Sequence, residues 1–128
     1  MGHTKAHITD LHAQHQEIEK SLLFYKEEIS LFRKRLGEIA TKNTHTDVLS
    51  WVDHFENQFT INESIISELT HHIKDHEFKF KEIIAQNPVA TEHKLVEDHA
   101  EFRGKVKIFE KLFAELKSDF NKFSAKVL

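Results

Sequence analysis

Eleven histidines in 128 residues are the part of this sequence that could do chemistry. Neutral imidazole is a good ligand for zinc, iron, copper or nickel, and its charge ordinarily changes near neutral pH. His72 and His76 stand four positions apart, which on a helix puts two rings one turn apart on the same face. His15 and Glu19 offer an imidazole and a carboxylate at the same spacing. Together these four could fill a tetrahedral zinc shell, with His99 or His12 as an alternate ligand. The metal reading therefore names His15, Glu19, His72, His76, His99 and His12, with zinc expected first and iron second. Asp98 could orient one of these ligands from behind.

Such a cluster also has ordinary explanations. A His-x-x-x-His pair is common in histidine-rich helices, and a histidine on an apolar stripe is usually a neutral, hydrogen-bonded core residue. A third reading is a pH switch, in which clustered imidazoles charge together and loosen the region around them.

The histidines can act together only if the chain gathers them, and its periodicity supplies the means. From Asp47 to Gln86 there is no proline or glycine, and apolar residues recur at steps of three and four from Val52 to Ile83. That spacing holds one stripe on one side of a helix roughly 60 Å long. A second stripe runs from Ile8 to Ile39 and a third from Leu95 to Val127, both with the same steps. Asn43 suits a helix C-terminus, and Thr44 or Thr46 suits the next N-cap. Asn87-Pro88 ends the central helix, and Thr91 with Glu92 opens the third.

Three long helices joined by short loops must alternate in direction. The expected fold is all-α: an up-down-up antiparallel three-helix bundle with helices over about 5–41, 46–86 and 90–127, forming a single domain over residues 1–128. Loop-based register then places Tyr25 opposite Asn62 as a hydrogen-bonded pair in mid-bundle. It brings His12 and His15 near His72 and His76, with His99 at the same level. Leu23, Leu31, Trp51, Ile65, Ile84, Val96, Ile108 and Leu112 flank the stripes, either widening each helix's buried face or forming an oligomer interface.

Composition narrows the function classes. An apolar fraction of 39% with 30% charged residues fits a slender bundle, and eleven phenylalanines argue against disorder. A net charge of −3 without a long basic cluster gives no nucleic-acid surface. The absence of cysteine excludes disulfides and thiolate metal sites. No stretch is apolar for long enough to span a bilayer, and the first residues lack the apolar run of a signal peptide, which makes cytoplasm the default. No nucleophile beside a base, phosphate-cradling glycine loop or paired carboxylates point to an enzyme.

Some motifs resemble those of the hemerythrin or HHE-type iron-binding bundles. His15 matches the early helix histidine, His72-x-x-x-His76 the HxxxH element, and His93-x-x-x-x-Asp98 the HxxxxD spacing. The resemblance implies a di-iron site that binds oxygen or senses iron. It covers motifs rather than the chain: Gln58 stands where His54 should be followed by glutamate, and the unbroken central stripe holds His54 about 27 Å from His72. The first expectation is thus a small non-enzymatic bundle that binds a transition metal without an organic cofactor. The second is a structural or adaptor bundle that docks a protein partner or self-associates.

Overall fold

A computed structural model describes the backbone of residues 3–86 and 88–128, and the side chains of residues 10–82, 85 and 97–128. Its elements are three α-helices, α1 (His3–Lys42), α2 (Thr46–Gln86) and α3 (Pro88–Val127), with no strand among the described residues. Helix α3 begins at Pro88, earlier than Thr91. Proline lacks the N–H that a first-turn residue leaves unpaired anyway, and its fixed φ suits that position, so the residue that closes α2 also opens α3. Between α1 and α2 the chain leaves helical geometry only over residues 43–45. The Asn43 backbone N–H and side-chain amide both donate to the Ile39 carbonyl, at 3.1 and 2.9 Å, and close the last turn of α1.

Side-chain contacts fix the helix directions. His12, early in α1, meets Glu77 late in α2, while Arg33 further along α1 meets Thr60 and Glu63. Trp51 and His72 of α2 pack on Phe123 and Phe102 of α3. His15 and Glu28 of α1 meet His99 and Lys117 of α3, so α1 and α3 run the same way. The bundle is up-down-up, as three stripes and two short connections dictate.

The stripes make one core. Leu22, Ile29, Phe32 and Leu36 of α1 pack with Phe55, Phe59, Ile66 and Ile73 of α2 and with Phe102, Phe109, Phe113 and Phe120 of α3. Each such side chain contributes about 1.5–3 kcal/mol by leaving water. Register between α2 and α3 matches expectation, but α1 sits about a turn further along α2 than the loop implied. As a result Tyr25 does not face Asn62. Its ring rests on Phe109 and Phe113 with centroids 5.5 and 4.8 Å away, and Asn62 turns its amide back to the Gln58 carbonyl at 2.8 Å.

Among the described residues no helix is long and apolar enough to cross a membrane. The stripe positions Ile8, Ile83 and Leu95, the flanking Ile84 and Val96, the Thr91–Glu92 cap and the histidines at 3, 7 and 93 lie outside the described side chains.

Candidate metal centre

His15, His76 and His99 each occupy a stripe position on a different helix, and all three are buried, at 1%, 5% and 4% exposure. The His15 ring centroid lies 4.9 Å from that of His99 and 5.8 Å from that of His76. Phe80 stacks on His15 at 5.2 Å, and Phe102 stacks on the half-buried His72 at 4.9 Å. His72 and His76, one turn apart, bring their rings to 4.2 Å. Phenylalanine thus walls a layer of imidazoles off from water.

Hydrogen bonds determine where the imidazole protons sit. Glu77 Oε1 takes His15 Nδ1 at 2.9 Å, and its Oε2 takes His12 Nδ1 at 2.8 Å. A carboxylate only accepts, so His15 Nδ1 carries a hydrogen and donates it. At the other side of the layer, His99 Nε2 lies 2.6 Å from Gln14 Oε1, also an acceptor, so His99 Nε2 donates too. In neutral rings this leaves lone pairs on His15 Nε2 and His99 Nδ1. Those two nitrogens face each other at 3.2 Å. Two lone pairs at that distance need something positive between them, either a proton or a metal ion. Turning the Gln14 amide over, so that its NH2 donates to His99 Nε2, moves a hydrogen to His99 Nδ1 and closes the chain without a cation.

Burial sets the charge preference. His99 is pushed down to about 4, first by burial and then by His15, Arg103 and His76. His76 is lowered by burial, then by His72 and His15. His72 is lowered by burial, then by Lys105. Desolvation disfavours the imidazolium in each case, and neighbouring cations add to it. His76 Nδ1 is buried with no hydrogen-bond partner among the described residues. Such an atom ordinarily costs about 1–3 kcal/mol.

The structure gathers His15, His76 and His99 in the core, with His72 beside them. His12 is exposed and reaches His15 only through Glu77. Glu19 is exposed and lines a groove between α1 and α2 with Leu23, Ser67 and Thr70, so the carboxylate expected in the shell is not brought to the buried rings. The carboxylate hydrogen-bonded to His15 is Glu77, while Asp98 acts on His72 and His76 as a nearby charge. Glu77 and Gln14 escaped the sequence reading because both flank their stripes; their signal was a polar residue one step from a stripe histidine. Among the described residues, no three histidine, aspartate or glutamate side chains aim their donors at one common point as they stand. His54 lies on the same unbroken helix as His72, so the HxxxE and HxxxH elements of an HHE-type site do not converge here.

Compared with known proteins, the chain matches no family model, no curated protein and no solved structure.

Proposed function

We propose that the protein binds one transition-metal ion, zinc by preference, between His15 Nε2 and His99 Nδ1, with His76 as third ligand and His72 completing the shell. The observation that carries this reading is the pair of facing nitrogens at 3.2 Å, each ring held from behind by an oxygen acceptor. Nitrogens sharing a tetrahedral zinc lie about 3.3 Å apart, because each Zn–N bond is about 2.0–2.1 Å. Ring centroids on such an ion stand roughly 5 Å apart, close to the spacing from His15 to His99. Glu77 behind His15 is the carboxylate–histidine–metal arrangement that fixes a tautomer and raises ligand basicity. His76 joins by turning its ring, which gives its orphaned Nδ1 a partner. Four nitrogens in a dry site make a structural rather than a catalytic centre.

The competing reading is a purely structural polar layer that fixes helix register, with the Gln14 NH2 turned toward His99. It is favoured by the lack of a common focus for three donors. Gln14→Glu separates the two, since a carboxylate can only accept. A metal site keeps or raises its affinity, whereas the structural layer loses a donor and stability. The direct test is cobalt(II) titration of chelator-treated protein. The expected result is the intense visible absorption of a tetrahedral ion, displaced by zinc and lost in His99→Ala. No band, together with no rise in melting temperature under excess zinc, overturns the proposal.

A further inference from the structure

Three seams, one between each pair of helices, separate the histidine layer from solvent, and they differ in the nitrogen each presents. At the α1–α2 seam Glu77 holds His15 Nδ1 at 2.9 Å. At the α1–α3 seam Gln14 holds His99 Nε2 at 2.6 Å, with Arg103 near enough to act on the ring. In each case the outward nitrogen is engaged, and the nitrogen that faces the partner ring lies on the inner side of the imidazole. Both rings are buried, and Phe80 stacks on His15. An ion arriving by either seam would have to cross a packed ring to reach the facing pair.

The α2–α3 seam is built differently. His72 stands in it half-buried, nearly parallel to Phe102 with 12° between the ring planes. The His76 ring is 4.2 Å away, with its Nδ1 buried and without a partner among the described residues. From His76 to the His15 ring is 5.8 Å. Imidazoles therefore lead from the surface to the core, and the middle one offers a nitrogen with no hydrogen bond to break.

Lys105, Asp75, Lys79 and Asp98 all act on the His72 ring. Asp75 and Lys79 pair with each other at 3.8 Å, so an incoming cation meets chiefly Lys105 and Asp98. Charges at the mouth of a path change how often an ion arrives, and salt screens that effect.

We infer that a divalent cation enters and leaves by the α2–α3 seam, exchanging water for imidazole at His72, then at His76, and finally at His15 and His99. His72 is thus the capture ligand, and Lys105 sets the rate at which an ion arrives. The inference rests on the metal reading above and adds the route by which the centre fills.

The test is stopped-flow mixing of cobalt(II) with chelator-treated protein, following the tetrahedral band at low and high salt. Lys105→Glu speeds association about threefold at low salt, and the gain fades at high salt. Arg103→Glu at the α1–α3 seam and Lys74→Glu at the α1–α2 seam leave the association rate unchanged, any gain in affinity appearing as slower release. His12→Ala also leaves association unchanged, because the exposed imidazole beside Glu77 is off the path. A normal band with an association rate indifferent to Lys105→Glu overturns the route and leaves the metal reading standing. So does a rate that responds as strongly to Arg103→Glu, Lys74→Glu or His12→Ala. Absence of the band in the unaltered protein overturns both.

Discussion

Two layers of the bundle use the same geometry for different chemistry. Near one end, His15, His76 and His99 place one ring from each helix in the core. Toward the other, Phe32, Phe59 and Phe120 do the same, with centroids 5.2 to 5.8 Å apart against 4.9 and 5.8 Å around His15. Both layers are closed to water. The phenylalanine layer gains from every atom it buries and titrates nothing. The histidine layer buries nitrogens that must be satisfied, and burial pushes His76 and His99 toward the uncharged form. The first layer holds the fold, and the second gives up stability to place imidazole nitrogens in the core.

The sharpest way to break this comparison is Phe59→Ala. Deleting a fully buried ring should cost about 3–5 kcal/mol, read by chemical denaturation, and should leave cobalt binding to the folded protein intact. A loss of less than about 1 kcal/mol would mean that the phenylalanine layer is not the anchor.

Acidification comes next and acts on the other layer. His72, His76 and His99 have folded values below the ordinary 6.5, so the unfolded chain binds more protons at mildly acid pH. Metal-free stability should be highest above 6.5 and should fall as pH drops through 6.5 toward about 4, the value for His99. Amide exchange should rise first around His76 and His99. A melting temperature flat across that range would refute the assignment of uncharged rings.

Glu77→Gln probes how the layer is held. Losing a carboxylate behind a ligand typically lowers metal affinity about 10–100-fold, measurable by competition with a chelator. Unchanged affinity would remove Glu77 from the site. His76→Leu should raise metal-free stability by about 1 kcal/mol, because it deletes an orphaned buried nitrogen, and it should abolish tetrahedral cobalt absorption. Smallest is Gly104→Ala. The glycine is helical without positive φ, and a Cβ there meets nothing within 4 Å, so the gain should be about 1 kcal/mol with no effect on metal binding.

Much of this was legible in the residues. Steps of three and four gave all three helices and their buried faces, because side chains three and four apart share one side of a helix. Asn43 and Pro88 marked the breaks through backbone chemistry alone. The gathering of His15, His76 and His99 at one depth followed from counting along three rods. What was not legible depended on offsets of a single turn. Tyr25 and Asn62 were expected to pair, but the shift of α1 along α2 turned each toward other partners. Glu19 shares a spacing with His15 but not a face with the buried rings.

The sequence by itself determined that there are three long helices and which stripe of each is buried, since periodicity and backbone propensity are local and every residue carries its share. Only the tertiary structure decided that Glu77 and Gln14 stand behind His15 and His99, and that two ring nitrogens face each other at 3.2 Å. Hydrogen bonds between helices depend on axial register to within a fraction of a turn. That register is set by how the whole core packs, not by any short run of residues.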